Sequence, residues 1–154
     1  MPIKTINKTQ NFNPILITAQ IFFILSSNYV FFIFFLFLFN SFFGLRIHID
    51  QIFSPEVFEF TENSYGYSTL LSYFFSNLFM IFIYVVIVDK ANKILDYVIT
   101  NFFLHIMVTT FVRHFPLNYF WWVINGSITA SIVLISEFIS LKLDQKEIKL
   151  VQFK

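Results

Sequence analysis

Charged residues interrupt this chain at intervals and leave four long uncharged stretches, Asn11–Leu45, Asn63–Val88, Tyr97–Val112 and Phe115–Ser136. A helix rises about 1.5 Å per residue, so crossing a hydrocarbon core of about 30 Å takes about 20 apolar residues. The pattern predicts four membrane-spanning helices, near residues 15–39, 67–88, 94–112 and 117–137. The first stretch is too long for one perpendicular helix. It is read as a tilted helix that emerges before Gly44, or one that bends at Ser26-Ser27-Asn28. The third stretch is 16 residues long and needs residues from Ile94 onward to complete a span. Asn13-Pro14 marks the entry to the first helix, because the missing N–H of proline is no loss in a first turn. Arg113-His114-Phe115-Pro116 is read as a tight turn, since proline disfavours helix at the residue before it. The tail from Leu141 to Ile148 is read as an extension of the last helix.

Composition supports this reading of the solvent. Hydrophobic residues make up 57% of the chain and charged residues 12%, against about 25% charged in soluble domains. So few charges would not cover a water-soluble surface, and residues 1–154 are read as a single all-α, four-helix membrane domain. The 25 phenylalanines are taken as lipid-facing or packing residues. A cleaved signal peptide is the competing reading of the N-terminus, with Lys4 and Lys8 as its charged region. The apolar run that follows is far longer than such a peptide uses, so a retained first helix is preferred.

The ten Lys and Arg residues fix an expected orientation. Lys4, Lys8, Lys90, Lys93, Lys142, Lys146, Lys149 and Lys154 fall on one side, and only Arg46 and Arg113 on the other. By the positive-inside rule both termini face the cytosol. The first loop, with Asp50, Glu56, Glu59 and Glu62, faces the lumen. No basic stripe offers a surface that tracks phosphates, so nucleic-acid binding is not expected. The absence of cysteine excludes disulfides, thiolate metal sites and thiol nucleophiles.

Candidate chemistry within the spans rests on Gln20, Asn28, Asn40, Asn77, Asn101, His105 and Asn125, because polar groups in lipid are costly unless paired. His105 is the one ionisable residue near mid-span. No second histidine lies one turn away, so a hydrogen bond to Asn or Ser of another span is preferred over metal binding or proton relay. The amides Asn77, Asn101 and Asn125 are expected to bond between helices as well. Gly126 and Ala130 are small residues one turn apart, a spacing that suits close helix packing. Glu137 reads as an interfacial carboxylate. Asp89 and Asp96 flank Lys90 and Lys93 at the second cytosolic turn, where local ion pairing is the plain reading. No nucleophile set, metal motif or phosphate loop appears, so neither an enzyme nor a cofactor is expected.

Several short segments line up in order with one family. Asn13-Pro14 before a span holding Gln20, the loop Ile49-Asp50-Gln51-Ile52-Phe53, and Ile94-Leu95-Asp96-Tyr97 are three of them. His105 lies nine residues after Asp96. Then follow Arg113, Phe115-Pro116 and Trp121-Trp122, and finally Glu137-Phe138 and Lys146-Glu147-Ile148. This series resembles the Sys family of small four-span Golgi trafficking proteins over about residues 13–150. His114 departs from that family's Arg-Phe-Pro turn by standing between Arg113 and Phe115.

The resemblance implies a multi-pass protein of the Golgi, on its trans side. It implies a receptor that holds an Arf-related small GTPase there for endosome-to-Golgi and Golgi-to-surface traffic. The partner would meet the cytosolic side, where Asp89, Lys90, Lys93, Asp96 and Glu137 are the candidate contacts. Asp50, Gln51, Phe53, His105, Arg113, Phe115, Pro116, Trp121 and Trp122 would shape the fold, the two tryptophans by anchoring a helix end at the lumenal interface. Membrane lipid is the other expected partner, and association of copies of the chain with one another stays open. The alternative is a small transporter or channel subunit, which needs a continuous polar path.

Overall fold

The computed structural model describes residues 13–54, 64–88 and 90–152. Asp89, Glu56, Glu59 and Glu62 lie outside the described residues. Among those described, every regular element is helical: α1 (Pro14–Phe43), α2 (Asp50–Phe53), α3 (Tyr65–Ile87), a 3-10 turn (Ala91–Lys93), α4 (Ile94–Val112) and α5 (Tyr119–Gln152). Four segments are long and apolar enough to cross a membrane: α1, α3, α4 with its leading turn, and α5 as far as Gln145. The four-span, all-helical reading is therefore correct, and the differences lie at the ends. α1 runs unbroken through Ser26-Ser27-Asn28 for 30 residues, about 45 Å of helix. α5 starts at Tyr119 and continues beyond Glu137 into the tail. Residues 113–118 form a longer non-helical connection than the tight turn expected there.

Local chemistry sets the helix ends. Asn13 caps α1, its side-chain oxygen accepting from the backbone N–H of Ile15 and Leu16 at 3.2 and 3.3 Å, and Pro14 fills the first helical position. α1 stops at Gly44, whose φ of 67° is left-handed. Leu45 N–H then returns to the Asn40 carbonyl at 2.8 Å and closes the last turn.

α1 and α3 form the main seam. Both bury every fourth residue. On α1 the buried positions include Ile24, Phe32, Leu36 and Asn40. On α3 they include Ser68, Ser72, Ser76, Met80 and Tyr84. Small residues at this spacing let helices approach, which supplies the dispersion contact that holds helices together in lipid. Beside this seam, Phe31, Phe35 and Phe39 of α1 pack on Phe75 and Phe79 of α3, with ring centres 5.4–5.9 Å apart. Gly126 and Ala130 play no such part. Both are exposed, and a Cβ added at Gly126 would meet nothing within 4 Å.

Polar bonds fix the register at both ends. Near the start of α1, Gln20 donates to the Ile87 carbonyl at 3.0 Å and accepts from the Tyr97 hydroxyl at 2.6 Å. It thereby ties the starts of α1 and α4 to the end of α3, and it satisfies a carbonyl left over at a helix terminus. At the opposite end α2 folds back over the bundle. Gln51, 4% exposed, exchanges two hydrogen bonds with Asn40 at 2.8 and 3.2 Å and donates to Thr69 at 3.2 Å. The Ser68 hydroxyl donates to the same Asn40 oxygen. An ion pair between Asp50 and Arg113 joins α2 to the end of α4.

Gln51 and Asp50 should therefore differ sharply in weight. Gln51→Leu leaves the buried Asn40 amide short of its partner and should cost about 1–3 kcal/mol. Asp50→Asn touches a pair with 42% and 54% of its side chains exposed, and should cost under about 1 kcal/mol. Thermal unfolding of both variants in one detergent checks the order. Equal losses would contradict the assignment of Gln51 as the tie that holds α2.

Candidate functional site

Two places gather polar groups, and they occupy different levels of the bundle. The first is an interhelical cavity of about 50 Å³. Its wall takes residues from α1 to α5, with Gln51, Ile52 and Ser54 at the α2 end. At mid-depth the Tyr29 hydroxyl and His105 Nδ1 stand 3.0 Å apart. With His105 protonated at Nε2, the hydroxyl donates to Nδ1. His105 also stacks on Trp121, ring centres 6.1 Å apart and planes 12° from parallel. Phe102 also stacks on Trp121, with ring centres 6.2 Å apart. Tyr73 donates to Asn125 at 2.6 Å, and Asn101 donates to the Tyr84 hydroxyl at 3.1 Å.

These contacts revise several expectations. His105 does bond to another span, but its partner is a tyrosine, because Tyr29 on α1 reaches further across the bundle than Asn or Ser. Asn101 and Asn125 bond between helices as expected. Asn77 does not; its amide donates to the Tyr73 carbonyl one turn back on α3 at 2.7 Å. Trp121 is no interfacial anchor. It is 3% exposed and belongs to the core. Trp122 is 37% exposed, and its indole donates to the Pro116 carbonyl at 2.8 Å. Pro116 is buried, Phe115 exposed, and Phe53 half-buried with its ring 5.9 Å from Tyr29. Tyr29, Tyr73 and Tyr84 went unnoticed in the sequence. Their signal was their place in spans that also carry unpaired amides.

The second place is the opposite end of the bundle. Val88, Ala91 and Ile94 are buried there, while Lys90, Lys93 and Asp96 around them are exposed. The alternation holds the charges outward over an apolar floor. Glu137 is half-buried on α5, between the buried Ser136 and Ser140. Lys142, one turn on, lies 4.3 Å above the Phe138 ring. Among the described residues no ion pair engages Lys90, Lys93, Asp96 or Glu137; the local pairing expected at this turn also involves Asp89, which lies outside the described residues.

An apolar cluster separates the two places. Ile24, Met80, Ile81, Tyr84, Val88, Ile94, Val98, Ile132 and Val133 form one contiguous core. Tyr84, Val98 and Ile132 of this cluster also line the cavity. Among the described residues no group of three or more His, Cys, Asp or Glu is placed to hold a metal.

Comparison with known proteins gives a family model that matches residues 7–150, described as an integral membrane protein linking to the trans-Golgi network and labelled SYS1. A curated relative from Dictyostelium discoideum, named as a SYS1 homolog, is 26% identical over 147 residues. That alignment takes in 96% of this chain and 63% of the relative, so the chain spans under two thirds of that protein's length. A SYS1 homolog from Nematostella vectensis is 24% identical over 142 residues, with 92% of this chain and 90% of the relative aligned. No solved structure matches the chain.

The Tyr29–His105 contact makes a direct prediction. Tyr29→Phe and His105→Leu should each lower stability in detergent by about 0.5–2 kcal/mol. The double variant should cost less than the sum, because each single change already removes the shared bond. His105→Gln retains hydrogen-bonding capacity and should fall closer to the unaltered chain. Additive losses would show that the two side chains act independently.

Proposed function

The chain belongs to the SYS1 family of integral membrane proteins linked to the trans-Golgi network, and from that premise we propose that it is a non-enzymatic receptor which holds an Arf-related small GTPase on the cytosolic face. The observation that carries this reading is the build of the terminus-bearing end. Lys90 and Lys93 stand exposed on the short turn that leads into α4, and Asp96 stands exposed in the first turn of that helix. The buried Val88, Ala91 and Ile94 beneath them hold that turn in place. A short charged surface of fixed shape suits recognition of a partner's segment.

The charge distribution supports the orientation this needs. In sequence order, eight of the ten basic residues fall before the first span, between the second and third, or at and after the end of the fourth, and by the positive-inside rule such a bias supports a cytosolic position for that side. Asp50, Gln51 and the Arg113–Asn118 connection then face the lumen, out of reach of a cytosolic GTPase. The transporter alternative needs a polar route through the bundle. The apolar cluster from Ile24 to Val133 stands across such a route within a single chain.

Three experiments test the proposal. Glycosylation acceptors placed in a lengthened 55–63 loop should be modified, and acceptors in an extension after Lys154 should not; the reverse pattern overturns the orientation. Cells lacking the protein should show the GTPase released from Golgi membranes to the cytosol, while its nucleotide exchange in solution is unchanged. Charge reversal at Lys90, Lys93 or Asp96 should weaken recruitment more than charge reversal at Asp50, in variants that still reach the Golgi. Persistence of the GTPase on Golgi membranes without this protein would refute the receptor reading.

A further inference from the structure

We propose that the interhelical cavity is a water site, a one-sided aqueous pocket that enters the bundle from the α2 end and stops at the apolar core. The lining sets the chemistry of the occupant. It contains Asn28, Asn77, Asn101, Asn125 and Gln51 together with tyrosine hydroxyls, and no Lys, Arg, Asp or Glu. His105, the lining's one potential cation, is already engaged by Tyr29, and an acyl chain would leave the Asn101 oxygen without a partner at a cost of about 1–3 kcal/mol. A neutral species that both donates and accepts hydrogen bonds is what fits.

Size narrows the choice. A cavity of about 50 Å³ has room for about three to five water molecules, at 10–15 Å³ for each. One wall group asks for such a partner. Asn101 is 95% buried, being 5% exposed; its amide nitrogen serves Tyr84, and its Oδ1 has no partner among the described residues. A buried acceptor left alone costs about 1–3 kcal/mol, and a bridging water removes that cost. Sidedness follows from the two ends of the cavity. At one end lie the polar Gln51 and Ser54 of the α2 segment, at the other the apolar Val98 and Ile132.

The chain has no cysteine, so single cysteines can be read without background. The probe is the silver ion, a thiol-binding cation close to water in size that does not enter lipid. Protection of each thiol from later alkylation is measured in sealed vesicles of the full-length protein. Asn28→Cys and Thr129→Cys line the cavity. Val30→Cys and Ala130→Cys lie at matching depth on the outer surface of the same helices. Silver should block the cavity pair at least about tenfold faster than the outer pair, because thiolate forms only where water reaches. It should do so only from the side that labels Ile49→Cys, and not from the side that labels Lys93→Cys. Equal rates in both pairs, as an acyl chain in the cavity would give, overturn the proposal. Access from the Lys93 side, or from both sides, overturns its one-sidedness. An experimental structure of the unaltered chain that resolves water supplies a second test free of substitutions. Water within hydrogen-bond distance of Asn101 Oδ1 is expected, and lipid density in the cavity would contradict it.

Discussion

Hydrocarbon offers no hydrogen bonds, and this one property of the solvent governs how the four helices assemble. Each helix satisfies its own backbone, so what remains to be paired is the side-chain amides and hydroxyls and the leftover groups at helix ends. Apolar side chains gain nothing from one another that lipid does not also provide. Helix position therefore follows close packing of small residues together with polar bonds between spans. Gln20 at one end and Gln51 at the other meet that demand, each engaging residues from more than one segment. The serine seam of α3 lets α1 come close enough for both ties to form.

The same rule gives the bundle its asymmetry. Amides and tyrosines gather toward the α2 end and around mid-depth, where they meet one another and the cavity. Toward the start of α1 and the end of α3 an apolar cluster dominates the interior, with the Gln20 tie and the buried Ser136 and Ser140 as its polar exceptions. A polar half and an apolar half stacked along one axis do not make a conduit. They make a sealed support whose terminus-bearing end presents charges on a firm base, which is the property the receptor reading uses.

Much of this was legible in the residues because length and charge are coarse signals. Uncharged runs between single charges mark spans whatever their packing, so the four helices and the Asn13-Pro14 entry could be read directly. Packing partners are a finer matter. Ser68, Ser72 and Ser76 form the small-residue seam, whereas Gly126 and Ala130, at the same spacing, face outward. Trp121 and Trp122 look alike in sequence, and a single residue's rotation about α5 buries one and leaves the other at the surface. His105 was recognisable as a bonding group from its depth, whereas its partner Tyr29 depends on how α1 lies against α4, which no local pattern encodes. The charged turn was legible as charged; that its neighbours Val88, Ala91 and Ile94 plug the bundle beneath it emerges only in three dimensions.

The central claim is that the terminus-bearing end meets the GTPase and the α2 end does not. Site-specific photocrosslinking in native Golgi membranes tests it most directly, with a photoreactive residue at Lys93 in one variant and at Phe115 in the other. The account predicts an adduct with the Arf-related GTPase from position 93 and none from position 115. An adduct from position 115, or no GTPase adduct from position 93 in protein that has reached the Golgi, would contradict it.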